Sequence, residues 1–142
     1  MSIAELKVML AEEWRAVSAE QVMKRAKRFA GDPRRAELGR TVKVAVLSGF
    51  LTDYLADTLV LMLARRGIAA ELWRGPYGVM TGAILDHASG LHGFGPDLIL
   101  LLPSHRDLLR APSTAASAAE VLSAANAEAE SWRSLWRRSP PT

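Results

Sequence analysis

One stretch, residues 42–67, constrains the fold more than any other part of the chain. It has the sequence VKVAVLSGFLTDYLADTLVLMLARRG. Its first six residues form an apolar run with one charge, Lys43, which is typical of a strand buried on both faces. Ser48 and Gly49 interrupt the run, and a helical pattern follows. In open α/β sheets, ligands and catalytic groups gather where a strand, a tight turn and a helix meet in this way.

The helix after this turn has recognisable ends. Thr52 and Asp53 are residue types that cap helix N-termini. Arg65 and Arg66 fall in the predicted last turn, and Gly67 supplies the stop. The apolar side chains that recur at helical spacing, and that are predicted to face the core, are Leu55, Leu59, Met62 and Leu63.

Two helices precede this unit. Residues 2–5 and 18–21 have the capping-box patterns S-x-x-E and S-x-x-Q. They predict one helix over residues 3–16, with Trp14 on its apolar stripe, and a second helix that ends at Gly31. Together they would form a helical hairpin over residues 1–33. The basic residues 34–40 would then link the hairpin to the sheet.

Two further strands and two helices complete the pattern. Residues 68–74 and 97–102 predict the strands, separated by a helix over 79–87 and a glycine-rich loop over 89–96. The apolar side of that helix would comprise Met80, Ile84 and Leu85. A last helix is predicted from Ala118, after a loop over residues 110–117. Its apolar face would comprise Val121, Ala125, Ala129, Trp132 and Trp136.

This order of elements predicts an α/β fold. Right-handed crossovers make the three strands parallel, and the strand order 2-1-3 places residues 42–47 in the centre. We therefore expect a small three-layer sheet of the Rossmann or flavodoxin-like kind, preceded by the helical hairpin. The 142 residues suit a single domain, with the β-α-β-α-β-α core over residues 42–137.

Composition excludes several functional classes. The chain has no cysteine, so it has no disulfide and no thiolate nucleophile or metal ligand. Its start lacks the pattern of a secretory signal, and no apolar run approaches the roughly 20 residues of a membrane-spanning helix. We therefore predict a cytoplasmic location. The net charge is +3, but no aromatic–basic alternation accompanies the basic clusters, which favours solvated faces over a nucleic-acid footprint.

Two segments together resemble the N-terminal region of FkbH-like proteins. In the first, the matching residues after the strand are Leu47, Ser48, Phe50, Thr52 and Asp53. In the second they are Ser89, Gly90, Leu91, Phe94, Pro96 and Asp97. The resemblance covers about residues 40–110, and it rests on the order and spacing of these short motifs.

The resemblance implies a role in polyketide biosynthesis. FkbH-like proteins load a glyceryl unit onto an acyl carrier protein, and a haloacid-dehalogenase-type domain further along their chain binds Mg²⁺ through a D-x-D motif. No D-x-D pair occurs here. The resemblance therefore implies a binding or positioning module without independent catalysis and without a cofactor of its own. Its partners would be an acyl carrier protein or a C-terminal haloacid-dehalogenase-like domain.

The same region is similar to SGNH (GDSL) hydrolases, whose nucleophilic serine lies in the turn after the first strand. In this alignment Phe50 occupies the place of the nucleophile, and His105 occupies that of an oxyanion-hole asparagine. No D-x-x-H pair exists in the chain. The alternative function, a divergent hydrolase or acyltransferase, would have to pair Ser48 with His105, with Asp53 or Asp107 as the orienting carboxylate.

The candidate ligand-binding residues lie at the predicted carboxyl ends of the first and third strands. They are Ser48, Gly49, Thr52, Asp53, Ser104 and His105. For Ser48 a turn-forming role is favoured over catalysis, and for Thr52 and Asp53 helix capping is favoured over anion binding. His87, His92 and His105 show no metal-ligand spacing, so no metal site is predicted.

Overall fold

The computed structural model describes residues 2–12 and 17–139. Three parallel strands form one sheet, in which β1 (Arg40–Ser48) lies between β2 (Ile68–Arg74) and β3 (Leu98–Leu102). Val44 of β1 is opposite Leu72 on one side and Leu98 on the other. The predicted strand order 2-1-3 and the parallel pairing are confirmed.

Helices cover both faces of the sheet. Their bounds are α1 Ile3–Ala11, α2 Ala19–Ala30, α3 Asp53–Ala64, α4 Met80–Leu85, α5 Gly90–Phe94 and α6 Ala118–Arg137. Two 3-10 helices span Pro33–Leu38 and His105–Asp107. Residues of α1, α2 and α3 pack on one face, and residues of α4, α5 and α6 pack on the other. No helix in the described ranges is long and apolar enough to cross a membrane.

The central strand β1 supplies both cores because successive side chains of a strand point to opposite faces. Val44 and Val46 pack into a core that contains Leu6, Phe29 and Leu61. Ala45 and Leu47 enter the second core, whose other members include Ile84, Leu91 and Leu135. The prediction of a strand buried on both faces is confirmed.

Several predicted boundaries were wrong. Helix α1 ends at Ala11, with Glu12 as its C-cap, rather than at residue 16. Residues 13–16, and with them the predicted role of Trp14, lie outside the described residues. The segment 34–40 is not a plain linker, since most of it is 3-10 helix. The helix predicted over 79–87 is shorter, Met80–Leu85.

The glycine-rich segment 89–96 is not a loop throughout, because it contains α5. Leu91 in this helix is fully buried in the second core. Glycine lowers helix propensity by about 1 kcal/mol relative to alanine, and burial of an apolar side chain outweighs that. Tertiary packing therefore overrides the local glycine signal in this segment.

The predicted apolar faces of three helices were also wrong in part. In α3, Leu55 and Met62 are exposed, whereas Ala56, Val60, Leu61 and Ala64 are buried. In α4, Leu85 is exposed. In α6, Val121 and Trp136 are exposed, and the buried residues are Glu128 and Leu135. Helix α3 is apolar on nearly every side, so spacing cannot select one face, and a strict four-residue step drifts around a helix of 3.6 residues per turn.

Capping by side chains fixes several helix starts. The predicted capping boxes of Ser2 with Glu5 and of Ser18 with Gln21 are both present. A third box, Ser117 with Glu120, begins α6. Asp32 caps the first 3-10 helix and accepts hydrogen bonds from the backbone N–H and the guanidinium of Arg34.

These Arg34 hydrogen bonds lower the pKa of Asp32 from 3.8 to about 2. A carboxyl group whose pKa is lower in the folded than in the unfolded chain stabilises the folded chain at pH values above the unfolded-state pKa. This stabilisation is lost as the pH falls through the folded-state pKa. We expect Asp32→Asn to lower the free energy of unfolding at pH 6. The difference in free energy of unfolding between the variant and the unaltered chain, called the gap below, should close between about pH 4 and 2. Urea unfolding of both proteins across this range measures the gap. A gap that stays constant down to pH 2 would contradict the assignment.

Candidate functional site at the carboxyl edge of the sheet

The three strands end at one edge of the sheet, as parallel strands must. Two glycine N–H groups extend the pairing beyond the strand ends: Gly49 donates to the carbonyl of Leu102 at 3.1 Å, and Gly75 donates to that of Val46 at 2.9 Å. The turn after β1 is therefore fixed against β3, and the segment after β2 against β1. The predicted site residues lie at the end of β1 or shortly after the ends of β1 and β3, at this edge.

Ser48 is buried, and its hydroxyl both donates and accepts a hydrogen bond within the turn. Its Oγ accepts from the backbone N–H of Phe50 at 2.9 Å and donates to the carbonyl of Phe50 at 2.6 Å. The ring of Phe50 is 43% exposed. These bonds are those of a serine that closes a turn, with its proton directed at a backbone carbonyl.

Thr52 and Asp53 begin α3 but do not cap it as predicted. Thr52 occupies the N-cap position, yet its side chain makes no capping hydrogen bond. Asp53 is the first helical residue, and its Oδ1 pairs with Nη1 of Arg74. Arg74, the last residue of β2, was missed from the sequence, and this exposed ion pair connects the start of α3 to the neighbouring strand.

A second turn follows β3 and is organised by Asp107. The carboxylate of Asp107 accepts from the backbone N–H of Ser104 at 2.6 Å and from its hydroxyl at 2.8 Å, and it closes a capping box. It also lies directly against Gly49, where an added Cβ would come within 1.8 Å of Oδ2. The two turns of the site therefore meet through Gly49 and Asp107. The S-x-x-D spacing of residues 104–107 was a usable signal for this box.

His105 lies in the second turn and is exposed. Within the described residues no hydrogen bond joins His105 to Ser48, whose two hydroxyl bonds both go to Phe50. The serine–histidine pair therefore remains a prediction. As arranged here, the edge presents the Asp53–Arg74 ion pair, His105 and Arg106 to solvent.

The other histidines lie on the second face of the sheet. The rings of His87 and His92 are 4.8 Å apart, and Nε2 of His92 is 2.9 Å from the carbonyl of Ile84. Among the described residues no group of three or more histidine, aspartate or glutamate side chains is arranged to hold a metal ion. Trp73 stacks on Phe94 with ring centroids 6.5 Å apart.

Helix α6 is attached through a buried carboxylate that sequence reasoning missed. Glu128 is 9% exposed. Its oxygens accept from the backbone N–H groups of Leu109 and Arg110, at 3.1 and 3.0 Å, and from Nε1 of Trp132 at 2.8 Å. Trp132 therefore packs inward, while Trp136 is 66% exposed. The two tryptophans differ in burial, yet they line one surface pocket together, as their predicted common face requires.

Comparisons with known proteins identify a structural relative. No family model matches the chain, and no curated protein matches it significantly. A solved structure, described as the N-terminal part of the protein BF1531 from Bacteroides fragilis containing a phosphatase domain and complexed with Mg, matches with a TM-score of 0.62 and 25% identity. The match covers 80% of this chain and 29% of the other. This chain therefore spans less than a third of the length of that relative.

Proposed function

We propose that this chain is the N-terminal module of an FkbH-like biosynthetic system and acts by binding and positioning rather than by catalysis. The observation that carries the proposal is the shared fold with the N-terminal part of BF1531. The order of the turn motifs along residues 47–53 and 89–97 supports it from the sequence side. A haloacid-dehalogenase-like domain would supply the Mg²⁺-dependent chemistry, since this chain has no D-x-D pair.

The partner proposed for the carboxyl edge is an acyl carrier protein during glyceryl loading. Carrier proteins of this type are acidic, and complementary charge speeds association and fixes orientation. The edge displays Arg106, which is exposed and makes no ion pair among the described residues, beside His105. The whole chain is basic, with a net charge of +3.

A positioning role agrees with the hydrogen bonds that the polar groups at this edge already make. The Ser48 proton is directed at a backbone carbonyl, and the Asp107 carboxylate is bonded to Ser104. A nucleophilic serine needs a base within hydrogen-bond reach. The hydrolase or acyltransferase alternative would require this turn to rearrange so that Ser48 meets His105, and no specific contact favours it.

We expect a holo acyl carrier protein, titrated into the isotope-labelled chain, to shift the amide signals of residues 49–53 and 104–107. Arg106→Glu should weaken the binding several-fold, and added salt should weaken it further, because exposed charges are screened. Arg138→Glu, the same charge change at the C-cap of α6, is the matched control and should bind as the unaltered chain does.

Two results would contradict this role. One is the absence of any shift at about 1 mM carrier protein, where a complex held by about 4 kcal/mol is half-formed. The other is an equal loss of binding in the Arg106 and Arg138 variants, which would mean that net charge, and not the carboxyl edge, is recognised. An apo carrier protein run in parallel separates recognition of the protein from recognition of its phosphopantetheine arm.

A further inference from the structure

The two edges of the sheet differ in how they are protected. Sheet edges present unpaired backbone N–H and C=O groups, and folded proteins normally cover or charge them. At the β2 edge, Nη1 of Arg35 donates to the carbonyl of Ala70 at 2.5 Å, and the charged Glu71 is exposed. The 3-10 helix Pro33–Leu38 that carries Arg35 lies alongside this strand.

Among the described residues, no side chain caps the β3 edge and no charged residue lies within the strand. In the described part of the chain, β3 pairs only with β1, so its other edge is unpaired. Its sequence is Leu-Ile-Leu-Leu-Leu, which contains no charge, no proline and no glycine. An unpaired, uncharged and apolar edge offers backbone N–H and C=O groups with which another strand can pair.

Side chains on both faces of β3 remain partly in water. Leu98 is 53% exposed, and Ile99 to Leu102 are only half-buried. Ile99 and Leu101 contribute to the second core, and Leu100 and Leu102 to the first. Because side chains on both faces of β3 are incompletely buried, a further strand alongside β3 would extend both core layers. A helix on one face would cover the side chains of that face only.

We propose that two copies of this chain associate through their β3 edges. The strand from the second copy would run antiparallel about a two-fold axis at Leu100, so that Leu98 faces Leu102 and Ile99 faces Leu101 of the second copy. Asp97 then faces Pro103, and no like charges oppose each other, which antiparallel pairs require for stability. An isologous pairing of this type closes on itself.

The pairing gives a continuous six-stranded sheet of order 2-1-3-3-1-2, a common sheet size in globular proteins. The occupant that fits this edge is an uncharged apolar strand, and β3 itself is one. Both outer edges of the doubled sheet are then β2 edges, which Arg35 and the adjacent 3-10 helix already protect.

Sedimentation of the 142-residue chain tests the proposal. We expect a mass of twice 15.4 kDa that dissociates on dilution between about 100 and 1 µM. Leu98→Lys should yield a monomer, because it places a charge within the apolar pairing. Leu51→Lys, the same change at a leucine that is 81% exposed in the turn before α3, is the matched control and should remain a dimer. Circular dichroism checks that both variants are folded.

Hydrogen exchange of the unaltered chain gives a readout that needs no variant. We expect the amides of Leu98–Leu102 to exchange more slowly at high protein concentration, and those of β2 to be unaffected. A mass of 15.4 kDa at every concentration would overturn the proposal. So would a dimer that Leu98→Lys leaves intact, or a dimer without concentration-dependent protection of β3, because either would place the contact elsewhere.

Discussion

Replacing Phe29 by alanine is expected to lower the free energy of unfolding by about 3–5 kcal/mol. Phe29 lies in α2 and is fully buried in the core that Leu6 of α1 and Val60 and Leu61 of α3 share. The alanine would leave a cavity between the N-terminal helices and the sheet, and a packed interior fills such a cavity only in part. Urea unfolding followed by circular dichroism measures the loss.

Met23→Ala in the same helix is the control for Phe29→Ala. Met23 is 37% exposed, so its truncation should cost less than about 1 kcal/mol. Equal losses in the two variants would contradict the placement of α2 against the sheet. A separate unfolding transition for the N-terminal helices would contradict it too, because a shared core predicts one cooperative transition.

The strand order and the meeting of the turns after β1 and β3 were predictable from the sequence for a physical reason. The apolar run of β1 ends at Ser48 and Gly49, and that of β3 ends at Pro103. Parallel strands bring such ends to one edge whatever the details of packing, so turn residues far apart in the chain are predicted to be neighbours. The contact between Gly49 and Asp107 is the outcome of that rule.

The faces of the helices were less predictable because they depend on competition between apolar residues. In α3 the small residues Ala56 and Ala64 are buried, whereas the larger Leu55 and Met62 remain exposed. Small side chains let the helix approach α2 and β2 closely, a requirement of the packed structure that hydrophobic periodicity does not reveal. Hydrophobic periodicity also fails to predict α5, which forms in a glycine-rich segment because Leu91 is buried there.

The polar contacts between different elements were the least predictable, because each joins residues that are far apart in the chain. Arg74 of β2 reaches Asp53 of α3, and Glu128 of α6 binds the backbone after β3. Glu128 lies in a helix that also carries the exposed Glu120 and Glu130, so nothing in the sequence distinguishes the buried glutamate. Its partners are backbone N–H groups, which every residue but proline has, so the sequence alone cannot identify them.

Replacing Gly49 by alanine is expected to separate the two turns of the candidate site at a cost of about 1–3 kcal/mol. The new Cβ would come within 1.8 Å of Asp107 Oδ2, so the carboxylate must leave its hydrogen bonds with Ser104 or the turn after β1 must shift. Gly93→Ala in α5 is the matched control, because no atom lies within 4 Å of its Cβ position. Gly93→Ala should be neutral or slightly stabilising, since alanine favours helix.

A double-mutant cycle assigns the cost of Gly49→Ala to one contact. Asp107→Ala alone should cost about 0.5–2 kcal/mol, the usual value of a lost cap. In that background Gly49→Ala should cost less than about 1 kcal/mol, because the obstructing carboxylate is gone, which gives a coupling energy of about 1–2 kcal/mol. Additive effects within about 0.5 kcal/mol would contradict the contact. If the contact aligns the two turns for a carrier protein, Gly49→Ala should also weaken carrier binding, whereas Gly93→Ala should not.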